Sequence, residues 1–353
     1  MEPVTHFLTG ACLARAGFNR KAAYATLAMT LAAEAPDLDI LWAFRGPVAG
    51  FAHHRGITHT FIAVPFIALI TVAVVWMIHK IRKKPTQAPV RWGLLWCFTV
   101  IAVLSHLLLD FTNNYGLRPF FPFNPRWYSW DIVFIFEPLM FAALLLALVM
   151  PWIFGLADRE IGARRVKFRG RGWAISALVF IVLLYAVRNA EHIHAVNLVR
   201  NSNITTEPIL RVAAEPEPIN PFLWYAIIET PDYYQTAAVH TRSDQIETDP
   251  AENIIYKPPV TMATLAAKRS WLGRVYMDWS KWPVVEDKGA MTPPGYKVDP
   301  PDPNWHTVEF RDLRFDYPIF SEKPNDAVLS GWVYVGPQGE IEGMFMNGSE
   351  QKN

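Results

Sequence analysis

The sequence predicts an α-helical multi-pass membrane domain followed by a smaller, soluble β-rich domain of the α+β class. Three observations carry this. Of 353 residues, 52% are hydrophobic, with a mean hydropathy of +0.13, and four long apolar stretches fall between residues 57 and 189. That excludes a disordered or ordinary soluble chain. The net charge of +1 is the sum of two opposed halves: nineteen Lys and Arg stand against nine Asp and Glu in residues 1–190, and fourteen against twenty-three thereafter. After residue 200, short segments of period-2 alternation replace the apolar runs.

The first 45 residues hold two weaker segments. Val4–Ala16 is too short to span a bilayer and Ala22–Trp42 is only mildly apolar, so a re-entrant helical pair is expected, with the basic turn Asn19-Arg20-Lys21 between them facing inward. Met1–Gly10 carries Glu2 and His6 rather than a basic run, and no cleavable leader is expected. Spans are then predicted at 57–78, 92–109, 132–154 and 173–189, each near the roughly 20 residues a bilayer core requires. The connections Lys80–Arg91 and Gly155–Gly172 are strongly basic, whereas Phe111–Asp131 has only Arg118 and Arg126. By the positive-inside rule the first two are cytoplasmic and the third faces outward. The domains are therefore 1–195, in the membrane, and 196–353, acidic and extracytoplasmic. In the latter, Val308–Phe315 alternates as a strand, and Leu329–Val335 and Glu340–Phe345 read as a hairpin around Gly336-Pro337-Gln338-Gly339. Thr261–Gly273 has helical spacing, and Pro293–Pro303 reads as a loop. Positive charge sits in short clusters between apolar runs, so no nucleic-acid partner is expected. Cys12 and Cys97 are too few for a disulfide scaffold or a Cys-based zinc module.

Ionisable residues near membrane depth need a partner or a purpose. The N-terminal half holds His6, then Glu34, Asp37 and Asp39, then His53, His54, Arg55 and His59, then His106 and Asp110. His106 and Asp110 are one helical turn apart on one face, as a ligand pair or as a hydrogen-bonded helix-end pair. His53 to His59 form a loop able to aim imidazoles at one point, or a solvated interface feature. Asp37 and Asp39 follow Pro36, pointing to one side of an extended segment or capping the next one. All three groups come to the outer ends of their segments, and independent caps have no reason to converge there. Carboxylates with imidazoles suit a divalent metal, and two metals bridged by Asp would activate water for hydrolysis. Arg55 is either a two-pronged clamp for a phosphate or an interfacial snorkelling side chain.

These residues resemble the YdjM-like bacterial inner-membrane proteins, a family associated with metal-dependent hydrolysis. The resemblance rests on Thr5-His6 with Gly10, Pro36-Asp37-Leu38-Asp39, His54-Arg55-Gly56-Ile57-Thr58-His59 and Ser105-His106 with Asp110, and covers about residues 1–155. That family is distantly similar to the zinc-dependent phospholipases C and single-strand nucleases. The resemblance implies His6, Asp37, His59, His106 and Asp110 as metal ligands, with Asp110 as the bridge; His54, in the same motif as His59, joins them. The second histidine–carboxylate helix pair of those enzymes has no counterpart here, Asp131 and Glu137 being the nearest replacements.

The expected function is hydrolysis of a phosphoester, of a lipid or lipid-linked molecule, at a divalent metal in the bacterial inner membrane. Zinc is the first expectation, with manganese or iron as alternatives. Glu34, Asp39 or Asp131 would act as acid or base and Arg55 would bind the phosphate. The alternative is a non-catalytic structural or regulatory membrane protein whose His/Asp cluster holds helices together. Transport is disfavoured by the small number of helices and the lack of paired repeats.

Overall fold

The computed structural model describes residues 1–82, 86, 88–162, 168–292, 302–317 and 328–352. The chain divides into two compact units: Met1–Leu38, Arg55–Ala195 and Pro216–Trp224 in one, Asp39–His54, Val196–Glu215 and Tyr225–Asn353 in the other.

The first unit opens with α1 (Pro3–Arg15) and α2 (Ala25–Glu34). Glu2 caps α1 by accepting from the Thr5 N–H at 2.9 Å, and Pro3 sits in the first turn, where a missing N–H is harmless. Small residues make the α1–α2 contact: a Cβ on Gly10 would lie 2.6 Å from the Met29 carbonyl oxygen and 2.7 Å from the Ala33 Cβ. Residues Ala35–Arg45 continue as 3₁₀ turns, followed by α3 (Pro47–His53) and a 3₁₀ turn at Ile57–His59. The extended path expected for Asp37 and Asp39 is thus replaced by tight helical turns.

Four long helices follow: α4 (Ala63–Ile81), α5 (Trp92–Thr112), α6 (Pro138–Glu160) and α7 (Arg171–Arg200). Among the described residues, these four are long and apolar enough to cross a membrane. Half of the most apolar stretch of α5 is buried, against 22–28% for the other three, so α5 is the central helix. The boundaries depart from the sequence reading for local reasons. The first span begins at Ala63 rather than residue 57, because the Thr60 hydroxyl donates to the Ile57 carbonyl and accepts from the Ala63 N–H, closing a separate turn. The third begins at Pro138, not residue 132. The fourth runs on to Arg200, because the charge on Arg188 is neutralised in place by buried Glu137 at 2.6 Å.

Beyond residue 200 the chain forms two antiparallel sheets. In the first, β1 (Arg211–Pro216), β2 (Leu223–Glu229), β3 (Tyr233–His240) and β4 (Gln245–Glu247) lie in that order, and β5 (Ile254–Tyr256), reached through α8 (Pro250–Asn253), also pairs with β3. The predicted helix at 261–273 divides at Ser270 into α9 (Met262–Arg269) and α10 (Trp271–Trp279), the Ser270 hydroxyl accepting from the Gly273 N–H. The second sheet, β6 (Pro283–Asp287), β7 (His306–Asp312), β8 (Gly331–Val335), β9 (Ile341–Met346) and β10 (Ser349–Glu350), is ordered β10-β9-β8-β7-β6. It contains the predicted strand, which ends in a 3₁₀ turn at Leu313–Phe315, and the predicted hairpin, β8–β9. Of the predicted loop Pro293–Pro303, residues 293–301 lie outside the described residues.

Segment 39–54 is held within the second unit. Phe51 meets Trp279 edge-on at 5.1 Å and Tyr276 at 5.8 Å. The Gln351 side-chain oxygen accepts from the Val48 and Ala49 N–H groups at 3.0 and 3.2 Å, and its amide donates to the Arg45 carbonyl at 3.0 Å. Gly46, at φ +118°, leaves the space this side chain fills. A hydrogen bond between residues 48 and 351 requires an even number of membrane crossings between them, and the four helices meet that condition.

Candidate metal centre

Two elements already described carry the histidines of the centre. His106 lies on the inner face of α5, one turn before Asp110, and both are fully buried. His59 is the last residue of the 3₁₀ turn before α4, and Asp37 lies in the 3₁₀ turns after α2. One ligand atom from each of Asp37, His59, His106 and Asp110 falls within 4.8 Å of all the others. Individual separations are shorter: His59 Nε2 to His106 Nε2 is 3.0 Å, each of these nitrogens is 3.2–3.3 Å from Asp110 Oδ2, and each is 3.4–3.5 Å from Asp37 Oδ1. In a tetrahedral zinc site with bonds of about 2.0–2.1 Å, neighbouring ligand atoms lie about 3.3 Å apart. This cluster can hold a metal ion, and its dimensions suit a small one.

Orientation comes from outside the cluster. His106 Nδ1 lies 2.7 Å from the Ala33 carbonyl, which can only accept, so Nδ1 carries the proton and the Nε2 lone pair faces His59. His59 Nδ1 is 3.0 Å from the Thr58 hydroxyl, which likewise turns Nε2 inward. Two inward ring nitrogens 3.0 Å apart need a proton or a cation between them. Burial raises the Asp37 carboxyl, but the facing imidazoles, His59 first and then His106, outweigh it and hold the group below the usual carboxylate range. Its side chain is 14% exposed, against 0% for the other three, so Asp37 marks the open side of the cluster.

His6 stacks on His106 with ring centroids 3.7 Å apart, and its Nε2 lies 3.4 Å from Asp110 Oδ1. Burial pushes its pKa down to about 3, so the ring is neutral, and neither nitrogen makes a hydrogen bond. Asp37 Oδ2 is likewise buried without a hydrogen-bond partner. Such orphaned lone pairs, on a carboxylate oxygen and on the unprotonated nitrogen of a neutral imidazole, are what a bound cation would satisfy. The Met1 amino group is ion-paired with Asp110 Oδ1.

The remaining candidates fall elsewhere. Arg55, with φ +51°, is 2% exposed and does not snorkel. Its guanidinium lies 2.7 Å from Asp110 Oδ1, donates to Asn113 Oδ1 and the Gly116 carbonyl at 3.0 Å each, and covers the Tyr115 ring at 4.8 Å. It positions Asp110. His54 is partly exposed and pairs with Asp39 at 3.3 Å, outside the four-residue cluster, because the chain leaves the helical path at the end of α3. Asp131, at φ +57°, accepts from the Ser129 hydroxyl at 2.5 Å and is not a member of the cluster. Glu34, at the end of α2, is half-buried; burial, then Asp37 and Glu2, push its pKa up to about 7. The residues missed by sequence reasoning are the orienting ones, Thr58, the Ala33 carbonyl, Asn113 and Gly116. The polar run Asn113-Asn114 directly after an apolar span was their available signal.

Residues 1–195, more than half of the chain, match the family described as YdjM inner membrane protein, and the chain belongs to that family. The chain is also 29% identical over 196 residues to the uncharacterized protein YfhP of Bacillus subtilis (strain 168), covering 53% of this chain and 54% of that one. It thus spans about half the length of the curated relative it matches. No solved structure matches it. Family and apolar helices together make this a membrane protein.

Proposed function

We propose that the chain is a membrane-bound, metal-dependent hydrolase of phosphoesters belonging to lipids or lipid-linked molecules. The observation that supports this is the set of four His and Asp ligand atoms with nearest separations of 3.0–3.5 Å, beside a buried histidine without hydrogen-bond partners. A divalent ion, zinc in the first instance, would supply Lewis-acid charge and lower the pKa of water toward about 7. The chain's own residues supply the rest. Arg55 holds Asp110 in place, Ala33 and Thr58 hold the imidazoles, and Asp37 lies where the centre opens. Glu34, carrying a proton near neutral pH, is the candidate acid for the leaving oxygen. The basic loops 80–91 and 155–172, read by the positive-inside rule as cytoplasmic, support an extracytoplasmic β-rich region.

A specific observation also favours a structural metal. The four clustered His and Asp ligands are enough to fill a tetrahedral shell, as in structural zinc sites, whereas catalytic ones keep a position open. Elemental analysis of the purified protein, with His106→Ala and Asp110→Ala in parallel, tests for the metal. Hydrolysis of bis(p-nitrophenyl) phosphate then separates the readings. Turnover that disappears in both variants supports the enzyme, whereas stoichiometric metal without turnover on this or any long-chain phosphodiester supports the structural role.

A further inference from the structure

The outer face of α5 and the loop after it enclose a cavity of about 340 Å³. Its walls are Leu104, Leu108 and Phe111 on one side and Phe61, Phe120 and Tyr128 on the other. Almost all of its surface is apolar. The walls are fixed: the Phe61 N–H donates to the Pro119 carbonyl at 2.9 Å, Phe61 and Tyr128 each meet Phe120 edge-on at 5.4–5.5 Å, and the Tyr128 hydroxyl accepts from Asn124 at 2.9 Å. An empty apolar cavity of this size is unfavourable, and polar solvent gains nothing from entering it.

The cavity is continuous with the lipid-facing side of a helix that crosses the membrane. Leu104 and Leu108, at 40% and 55% exposed, form its lip and belong to the stripe that meets hydrocarbon. We infer that the cavity takes one hydrocarbon chain of a bilayer lipid. α5 then presents His106 and Asp110 on one face and the chain-binding stripe on the other, over the same two turns. A helix with its side chains is about 10 Å across, so tail and metal centre are one helix diameter apart. Resting on the phosphoester reading above, this assigns the substrate as a lipid phosphoester held by its tail.

The test is photolabelling in vesicles of phosphatidylethanolamine and phosphatidylglycerol doped with a phospholipid carrying a diazirine near the end of one acyl chain. In the wild-type protein, label should concentrate on residues 57–63 and 104–128. Leu108→Trp, which fills the cavity from its lip, should lower that label at least fivefold, with Leu104→Trp as a second obstruction. Leu145→Trp, at a comparably exposed position on α6, should not change it. Label spread evenly over α4 to α7, or undiminished in both cavity variants, overturns the inference. This readout needs no metal and no catalysis. Where turnover is present, the ratio of long-chain to bis(p-nitrophenyl) phosphate hydrolysis should fall at least tenfold in Leu108→Trp, and an unchanged ratio overturns the substrate-tail assignment. Absence of turnover on both substrates refutes the hydrolase reading while the label map still decides the cavity.

Discussion

Replacing Arg55 by Lys keeps the charge beside Asp110 but removes the planar fork. Of its polar contacts at 2.7, 3.0 and 3.0 Å to Asp110, Asn113 and Gly116, an ammonium can reproduce the first and cannot also reach the other two. Asn113 Oδ1 still accepts from the Tyr115 N–H at 2.9 Å, so little is lost there. The Gly116 carbonyl is left unpaired in a buried position, which costs about 1–3 kcal/mol. Weaker contact with the Tyr115 face removes about 1 kcal/mol more. The sum, about 2–4 kcal/mol, corresponds to a fall in Tm of roughly 4–16 °C for a unit of this size. The assay is thermal unfolding in nanodiscs with a chelator present, so that bound metal does not mask the change. Arg55→Ala, which leaves Asp110 buried without this partner, should fall further. A Lys variant within one degree or so of wild type would refute the positioning role and return Arg55 to the pool of groups available to a phosphate.

His59→Ala and Asp37→Ala should each weaken zinc binding at least tenfold in equilibrium dialysis, because each removes one of four clustered ligands. Asp312 is buried against Arg314 at 2.9 Å; burial raises its pKa, but the guanidinium outweighs that and holds it below the usual range. Its stabilising effect is therefore complete above an unfolded pKa of about 3.9 and is lost as pH falls through the lowered folded value. Asp312→Asn should lose about 3–5 kcal/mol at pH 7 in urea unfolding, with the gap to wild type closing below pH 4. Gln351→Ala should speed hydrogen exchange at the Val48 and Ala49 amides and cost about 1 kcal/mol, as loss of a helix cap does. Single cysteines at Phe44→Cys and Ser243→Cys, in a background lacking Cys12 and Cys97, should be labelled by an impermeant maleimide from the same side of the membrane; opposite sides would break the even-crossing argument.

Local physics was legible in the sequence. The His106–Asp110 spacing specifies a shared face once the segment is helical, and the alternation of β7 and the Gly/Pro turn of β8–β9 need only nearest neighbours. Contacts between distant segments were not legible. Nothing in the sequence near Arg55 announces that Asn113 and Gly116 will occupy its donors, or that Asp39 will pair with His54 rather than turn with Asp37 toward the cluster. The end of α7 lies beyond the expected residue 189 for the same reason: what accommodates the Arg188 charge near that end is Glu137, 51 positions earlier.

The cap on α3 also sets a clock. Val48 and Ala49 donate their N–H groups to a side chain 302–303 positions downstream, so the first turn of α3 must wait for residue 351 to be made. At about 5–20 residues per second, synthesis takes roughly 15–60 s to cover that distance. During that interval the segment between Asp37 and Arg55 lacks the bonds that tie it down, and a truncated chain would lack them permanently. Synthesis of residue 351 is therefore a checkpoint for ordering the stretch that connects two residues of the candidate centre's surroundings.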